Sequence, residues 1–417
     1  MKVLIVGGGG REPAIAYKLA QNSRIEELYC APGNGGIAKV AQCVDISATD
    51  IPGMVAFCKG KGIDFVVVAP DDPLALGMVD ALEAEGIRAF GPNKQAAQIE
   101  ASKSFSKELM KKYHIPTADY EVFDDYESAR TYLETSKLPI VLKADGLALG
   151  KGVLICETRQ QAMDGLKQIM LDKSFGDAGN RVVVEEYIEG PEVSILTFCD
   201  GKTIVPMKSA QDHKRAYDGD QGLNTGGMGT FAPSPKYTRE IQQEVEEKII
   251  KATLDALNSE GITFKGVIFF GLMLTKEGPK VLEYNARFGD PETQSVLMLL
   301  KTDLLDIFEA VVDERLEELD IQWEEDKSAV CVVMASGGYP ESYPKGLPIT
   351  GLDEVSGAVV FHAGTKQQDG QILTNGGRVL GVTAVGKDIP QAREIAYSNV
   401  AKIQFDGAHF RRDIGIK

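Results

Sequence analysis

The sequence has few of the residues that form metal clusters or disulfide frameworks. Its four histidines are scattered, and its six cysteines lie far apart without a Cys-x-x-Cys pair. We therefore expect no zinc-type cluster, and we expect reduced, mostly buried cysteines of the kind found in cytosolic proteins.

Long apolar runs and an excess of positive charge are also missing. No apolar stretch approaches the ~20 residues needed to cross a bilayer, and residues 1–6 predict a strand rather than a signal peptide. The net charge of −16 argues against a nucleic-acid-binding surface. We expect a cytoplasmic protein without a membrane or nucleic-acid partner.

The overall pattern is typical of a multidomain α/β protein. A chain of 417 residues is too long for one core and predicts about two to four domains. Alternating β and α segments near the amino terminus predict a parallel sheet. A last unit, residues 328–417, predicts short strands and one helix at Pro390–Gln404.

A glycine-rich turn follows the first predicted strand. Lys2–Val6 leads into Gly7-Gly-Gly-Gly-Arg-Glu12 and an amphipathic helix, an arrangement that presents backbone N–H groups to an anion. Glu12 occupies the third glycine position of a dinucleotide-binding fingerprint, which argues against that motif. An ordinary structural turn is the alternative.

A metal site is predicted on the strand Val281–Asn285. Side chains two apart share a face, so Glu283 and Asn285 point the same way and offer the hard oxygen ligands that Mg²⁺ accepts. Arg287 adds a planar cation for carboxylate or phosphate, and Pro291 is expected to open a helix. A sheet-edge strand with a solvated acid and amide is the alternative.

A second glycine-rich segment predicts a polyphosphate loop. Three glycines (146, 150 and 152) lie between two strands in a segment that also contains Lys143 and Lys151, although the segment is not a Walker A sequence. A strand ending at Glu185 and Glu186 then offers backbone groups to an adenine edge. A flexible hairpin and solvated surface acids are the respective alternatives.

An irregular polar segment, Asp212–Gly229, predicts recognition of a small substrate that carries both charges. A disordered surface loop is the alternative. Two long helices are also expected, one over Lys94–Tyr113 with Lys103 as a solvated charge, and one from Pro291 to about Glu318.

Taken in order over essentially the full length, these segments resemble one family, the phosphoribosylamine–glycine ligases, which are ATP-grasp enzymes of purine biosynthesis. The motifs that carry the resemblance are Gly9-Gly-Arg-Glu12, Ala31-Pro-Gly-Asn34, Gly91-Pro92, Lys143-Ala-Asp-Gly146, Gly150-Lys-Gly152, Asp212-His-Lys-Arg215, Asn224-Thr-Gly-Gly-Met-Gly229, Glu283–Gln294 and Gly376-Gly-Arg-Val-Leu380. The sequence departs from the family pattern at Pro13 and at Ala69-Pro-Asp-Asp72.

The resemblance implies three units. They are a preATP-grasp, Rossmann-like α/β domain (1–102), a two-part ATP-grasp body (103–325) with an α+β lid at about 121–190, and a small α+β carboxy-terminal domain (326–417).

The resemblance also implies roles for individual residues. ATP would be bound by Lys103, Lys143, Lys151, Glu185, Glu186, Tyr187, Ile188 and Glu192. Phosphoribosylamine or glycine would be bound by Gly9, Gly10, Arg11, Glu12, Asp212, Lys214, Asn224, Thr225, Gly226 and Arg287. Mg²⁺, with Mn²⁺ as the alternative, would be bound by Glu283 and Asn285, and Arg287, Lys143 and Asp212 would be catalytic.

The implied reaction joins glycine to 5-phosphoribosylamine through glycyl phosphate, with ATP as co-substrate, in a monomeric enzyme. Three other functions compete with it: another ATP-grasp ligase that carboxylates a purine intermediate, an NAD-dependent oxidoreductase and a non-catalytic nucleotide-binding regulator. The Asp212–Gly229 segment argues against the first, the missing third glycine against the second, and the paired metal ligands and phosphate lysines against the third.

Overall fold

A computed structural model describes residues 1–147 and 152–416. Its first unit consists of β1 (Lys2–Gly7), α1 (Arg11–Leu19), β2 (Glu27–Pro32), β3 (Gln42–Cys43), α2 (Ile51–Lys61), β4 (Phe65–Val68), α3 (Asp71–Leu76), α4 (Met78–Ala84) and β5 (Arg88–Phe90). These strands form a parallel sheet in the order β3-β2-β1-β4-β5. Val3 and Ile5 face one core and Leu4 and Val6 face another, so both faces of the sheet are covered, as a continuous apolar strand predicts.

The predicted helix over Lys94–Tyr113 is two helices. They are α5 (Gln98–Ala101) and α6 (Lys103–Lys112). Ser102 between them is extended, and its side chain accepts a hydrogen bond from the backbone N–H of Phe105, which starts α6 as an N-cap.

The next unit is an antiparallel sheet with two helices. It consists of β6 (Tyr120–Phe123), α7 (Tyr126–Thr135), β7 (Ile140–Ala144), β8 (Val153–Cys156), α8 (Arg159–Met170) and β9 (Val182–Glu186). The strand order is β6-β9-β7-β8, and the unit has its own apolar core. The lid expected at about 121–190 overlaps this unit in sequence and stays a prediction.

The body follows. It consists of β10 (Glu192–Asp200), β11 (Ile204–Pro206), β12 (Gln211–Asp212), β13 (Arg215–Tyr217), β14 (Gln221–Asn224), β15 (Gly229–Ala232), α9 (Arg239–Val245), α10 (Ala252–Ser259), β16 (Lys265–Thr275), β17 (Gly278–Asn285), α11 (Glu292–Val296) and α12 (Leu304–Val312). A π-helical segment, Glu246–Lys251, joins α9 to α10. The body sheet is antiparallel in the order β11-β10-β16-β17.

The carboxy-terminal unit shares a sheet with the body. It consists of β18 (Ser328–Ala335), β19 (Ala358–His362), β20 (Thr365–Gln368), β21 (Gln371–Thr374), β22 (Arg378–Gly386) and α13 (Ile389–Val400). Its main sheet has the order β12-β15-β18-β22-β19, because β15 pairs antiparallel with β18. Both ends of the polar segment Asp212–Gly229 are therefore attached to this sheet.

The prediction of one long helix from Pro291 to about Glu318 is wrong. Helix α11 begins at Glu292, one residue later than predicted, and the chain is extended at Leu300 before Asp303 caps α12. Short 3₁₀ helices lie at Ile37–Lys39, Gly176–Asn180, Leu297–Leu299, Leu316–Glu318 and Leu352–Glu354. Within the described ranges, no helix is long and apolar enough to cross a membrane. The mixed α/β fold class is confirmed.

Candidate active site

A β-bulge in β17 sets the direction of the two predicted metal ligands, Glu283 and Asn285. β17 pairs with β16, but the register slips so that Leu282 is left as an extra residue. Val281 and Tyr284 therefore both pack into the core behind the sheet instead of alternating across it. Simple alternation predicts the strand but not this local shift.

The Glu283 carboxylate lies in a strongly positive environment. Burial alone would raise its pKa, but four nearby cations outweigh burial and hold the pKa below its usual value. Those cations are Lys214, Lys143, Lys103 and Arg287. In the described part of the chain, no hydrogen bond or ion pair holds this carboxylate. An ionised carboxylate without a protein partner is a suitable ligand for a hard divalent cation.

Asn285 adds one further oxygen. Its Nδ2 donates to the Tyr284 carbonyl oxygen at 2.7 Å, which leaves the amide oxygen as the acceptor. Among residues 1–147 and 152–416, no group of three or more His, Cys, Asp or Glu side chains could hold a metal. A Mg²⁺ ion at Glu283 and Asn285 would thus take its other ligands from water and substrate phosphate, as Mg²⁺ commonly does.

The predicted phosphate lysines come from different elements. Lys143 Nζ, on β7, donates to the Leu282 carbonyl oxygen at 3.0 Å and lies 3.0 Å from Glu185 Oε1. Lys103 Nζ, at the start of α6, donates to the Gly146 carbonyl oxygen at 2.7 Å, so it is not the solvated charge that its position in a helix predicts. Lys151 lies outside the described residues.

The predicted nucleotide hinge leaves the lid at the end of β9. Glu185 is buried, whereas Glu186 and Tyr187 are exposed and Ile188 is half-buried. Glu186 Oε1 accepts from the Asp119 backbone N–H at 3.1 Å. The Glu185 carboxylate is turned into the protein, so any adenine contact at this position would use its backbone.

Glu192, which is predicted to bind ATP, contacts Lys214, which is predicted to bind the substrate. It opens β10, and its Oε2 lies 2.9 Å from Lys214 Nζ. This contact, reinforced by Glu283, raises the pKa of Lys214 despite burial. Lys214 is therefore a fixed cation between Glu192, which is predicted to bind ATP, and the predicted metal ligand Glu283.

The glycine-rich turn binds an anion of the protein itself. The Gly10 backbone N–H donates to Asp290 Oδ2 at 3.1 Å, at the start of α1. A side chain at Gly10 would collide with the same carboxylate, since an added Cβ would lie 2.9 Å from Asp290 Oδ1. Arg11 Nη1 reaches the Ala69 carbonyl oxygen at 3.5 Å, and Gly9 lies beside Glu12. The turn thus joins the first domain to the 283–294 segment.

Glu12 is buried beneath this turn and is expected to make stability depend on pH. Burial, with a smaller contribution from Asp290, raises its pKa to about 7 from the ordinary 4.5. Between these pH values the unfolded chain loses this proton and the folded chain keeps it. The free energy of unfolding should therefore fall by about 3 kcal/mol as the pH rises from 4.5 to 7.

Glu12→Gln removes the ionisation and should be more stable than the natural sequence at pH 8 but not at pH 4.5. Urea unfolding at both pH values measures the difference. Glu26→Gln is the matched control, because the Glu26 side chain is 78% exposed. An equal difference at the two pH values would contradict the prediction.

Arg287 is held in an acidic pocket between the body and the first domain. Its Nη2 lies 2.8 Å from Glu100 Oε1, and Glu100 Oε2 also accepts from the Ala286 backbone N–H at 2.8 Å. Asp71 faces the same cation, since burial would raise its pKa but Arg287 and Arg11 hold it below its usual value. Asp71 is also the first residue of α3, so the same carboxylate lies in the first turn of a helix and faces Arg287. Sequence reasoning missed Glu100, which carries no local motif.

Asp212 lies beside a second acid, Glu292, that sequence reasoning did not assign. Burial, followed by the charge of Glu292, raises the pKa of Asp212 well above its usual value. Glu292 Oε1 accepts from Ser194 Oγ at 3.1 Å, and burial raises the pKa of Glu292 as well. Its place in the 283–294 motif was the only signal in the sequence.

The polar segment between β12 and β15 is an ordered hairpin with a structured return. The Lys214 carbonyl oxygen accepts from both the backbone N–H and Oγ1 of Thr225, each at 2.8 Å. Asn224 is exposed and pairs with Arg215 across the hairpin. These contacts place Thr225 beside Lys214, and Gly227 of the same turn lies against the Asp212 carboxylate.

Arg378 of the carboxy-terminal unit reaches this site. Its Nη1 donates to the Gly226 carbonyl oxygen at 2.7 Å and to the Asp290 carbonyl oxygen at 2.8 Å, and it lies 3.6 Å from Asp290 Oδ1. The sequence marked Gly376-Gly-Arg378 only as part of a motif that carries the family resemblance. In the fold, this arginine connects the substrate segment to the 283–294 motif.

Comparisons with protein families cover all three units. The phosphoribosylglycinamide synthetase N domain matches residues 1–100, the ATP-grasp (A) domain matches residues 101–293, and the C domain matches residues 329–417.

Individual relatives agree with these matches. The chain is 51% identical over 414 residues to a phosphoribosylamine–glycine ligase of Caldanaerobacter subterraneus subsp. tengcongensis, which covers 99% of each chain. It is similar to the crystal structure of a phosphoribosylamine–glycine ligase from Thermotoga maritima, with a TM-score of 0.84 and 33% identity over 99% of this chain and 100% of the other. A biotin carboxylase domain from Hydrogenobacter thermophilus, solved with MgADP, shares the fold (TM-score 0.76, 16% identity, 98% of this chain and 91% of the other). The chain therefore belongs to the phosphoribosylglycinamide synthetase family of ATP-grasp ligases.

Proposed function

We propose that the chain joins glycine to 5-phosphoribosylamine with ATP in the cleft around Glu283, as the family's reaction in purine biosynthesis. One observation carries the assignment of the cleft: the ionised Glu283 carboxylate, which no described residue binds through a hydrogen bond or ion pair, lies among four cations supplied by α6, β7, the polar segment and the 283–294 motif. Such a concentration of opposite charges suits transfer of a phosphoryl group held by a divalent cation.

The chemistry has two steps. A glycine carboxylate oxygen attacks the γ-phosphorus of ATP, the bond to the β–γ bridging oxygen breaks, and glycyl phosphate and ADP form. The amine of phosphoribosylamine then attacks the acyl carbon, the bond from that carbon to the phosphate oxygen breaks, and the nitrogen loses a proton. Neither step requires a protein nucleophile, so positioning and charge neutralisation supply the acceleration.

Different cations would act on the nucleotide and on the other two substrates. Lys103 and Lys143, with Lys151, would neutralise the nucleotide phosphates, and Arg287 and Lys214 would orient the substrate carboxylate and phosphate. Glu283 and Asn285 would hold Mg²⁺, with Mn²⁺ as the alternative, and the ion would neutralise charge on the transferred phosphoryl group. Asp212 would face the amine of a substrate.

The nucleotide would lie between the lid sheet and the body, with its adenine at residues 185–188 and its ribose at Glu192. Phosphoribosylamine would lie against Gly9–Glu12 and the Asn224–Gly226 turn. We retain the predicted units 1–102, 103–325 and 326–417 and a monomeric, cytoplasmic enzyme as proposals. The lid would also exclude water, because glycyl phosphate exposed to water hydrolyses.

Release of ADP with each substrate omitted in turn tests this function. We expect release only when ATP, Mg²⁺, glycine and freshly made phosphoribosylamine are all present, with glycinamide ribonucleotide as the product. Release that does not depend on glycine would contradict the assigned substrates, and a bicarbonate requirement would favour a carboxylating ATP-grasp ligase.

A further inference from the structure

The Glu185 carboxylate contacts two lysines, Lys143 and Lys107, and the proposed function assigns a role only to Lys143. Lys143 Nζ lies 3.0 Å from Oε1 and Lys107 Nζ lies 3.1 Å from Oε2. All three side chains are nearly inaccessible, with 8%, 3% and 3% exposure for Lys143, Lys107 and Glu185. Two cations and one anion leave one net positive charge at this point.

Lys107 is fixed by partners that do not involve a nucleotide. It lies on α6, and its Nζ donates to Thr117 Oγ1 at 2.8 Å and to the Ala118 carbonyl oxygen at 3.3 Å. The ring of Tyr120 lies 5.4 Å from the same nitrogen. Apart from Glu185, Lys143 has one hydrogen bond in the described part of the chain, to the Leu282 carbonyl oxygen. Lys107 is therefore the anchored member and Lys143 the one free to turn toward a phosphate.

We propose that Lys107 is a positioning residue that satisfies the Glu185 carboxylate and so leaves the Lys143 ammonium available to the nucleotide phosphates. This inference rests on the proposed function, in which Lys143 binds ATP. Without Lys107, Lys143 would be the one remaining counter-ion of the buried Glu185 carboxylate in the described part of the chain, and a nucleotide would have to break that pair in order to bind.

If Lys107 acts in this way, the affinity for ATP should depend on pH. Burial, with repulsion from Lys143, lowers the pKa of Lys107 to about 8, although Glu185 and Glu186 oppose the shift. The groups that face Lys107 are Glu185 and Glu186 of β9, Lys143 of β7, and the Tyr120 ring of β6. As the pH rises through about 8, Lys107 loses its proton, Glu185 pairs with Lys143 alone, and affinity for ATP should fall. Arginine stays protonated, so Lys107→Arg should not show this loss.

Equilibrium binding of ATP with Mg²⁺ to the full chain, without glycine, tests the proposal. At pH 7, Lys107→Met should weaken binding by about 10-fold or more, because one positive charge near the phosphates is lost and a second is captured. The double variant Lys107→Met with Glu185→Gln should recover most of that loss, since an amide does not capture Lys143. Lys111→Met is the matched control, because Lys111 lies on the same helix over the same ring, 5.6 Å from its centre, and is exposed.

The outcomes separate the inference from the function on which it rests. If Lys143→Met weakens binding and Lys107→Met does not, the inference is wrong and the role of Lys143 stands. If Lys143→Met leaves binding unchanged, the assignment of Lys143 to ATP is wrong. A double variant as weak as Lys107→Met alone would show a merely structural role. Should Lys107→Met fail to fold, Lys107→Arg decides, because a fall in affinity near pH 8 equal to that of the natural sequence would overturn the proposal.

Discussion

Glu283→Gln should lower turnover by about 100-fold or more, because removing even an outer partner of a metal ligand typically costs 10–100-fold. The amide keeps the size of the side chain but loses the charge that four cations surround. It also offers one neutral oxygen to Mg²⁺ instead of an ionised carboxylate. The loss should appear in kcat at saturating substrates and should be relieved only in part by raising Mg²⁺.

The measurement is the steady-state rate of ADP release as a function of Mg²⁺ concentration. Glu277→Gln is the control, because Glu277 lies in the turn before the same strand and its side chain is 79% exposed. Near-normal turnover of Glu283→Gln at saturating Mg²⁺ would show that the metal assignment is wrong. The thermal unfolding midpoint of each variant separates loss of activity from loss of fold.

Arg378→Met should destabilise the protein by about 3 kcal/mol, the cost typical of leaving one member of a buried ion pair behind. Asp290 would lose its strongest neighbouring cation, and the Gly226 and Asp290 carbonyl oxygens would lose a donor. Since Gly226 belongs to the proposed substrate segment, the KM for phosphoribosylamine should also rise. Urea unfolding and steady-state kinetics measure the two effects.

A double variant tests whether the loss of stability comes from the contact between Arg378 and Asp290. Arg378→Met with Asp290→Asn removes both charges, so it should be less destabilised than the sum of the single variants. Arg412→Met is the matched control, because Arg412 is an exposed arginine of the same unit. Additive losses in the double variant would contradict a direct interaction between Arg378 and Asp290.

The strand and turn patterns of the first domain were predictable because they depend on neighbours in sequence. Lys2–Val6 is apolar throughout, and the structure buries it on both faces, as an inner strand of a parallel sheet requires. The glycine turn was also placed correctly. What the turn binds within the chain is Asp290, 280 residues away, and no local pattern contains that information.

Helix boundaries show a related limit. Apolar spacing alone favours one helix over Lys94–Tyr113 and one from Pro291 to about Glu318. Capping side chains divide both: Ser102 accepts from the N–H of Phe105, and Asp303 accepts from the N–H groups of Leu305 and Asp306. A capping side chain forms hydrogen bonds with the backbone that start a new helix instead of continuing the previous one. The spacing of apolar residues contains no information about these bonds.

The sequence by itself determined the fold class, the family and the chemical types at the site, because ordered motifs and local periodicity carry that information. Only the tertiary structure decided how their charges combine. It placed Lys107 and Lys143 on one carboxylate, Asp212 beside Glu292, and Arg378 of the last unit on the substrate segment. The physical reason is that pKa values and ion pairs depend on distances of a few ångströms between residues far apart in sequence.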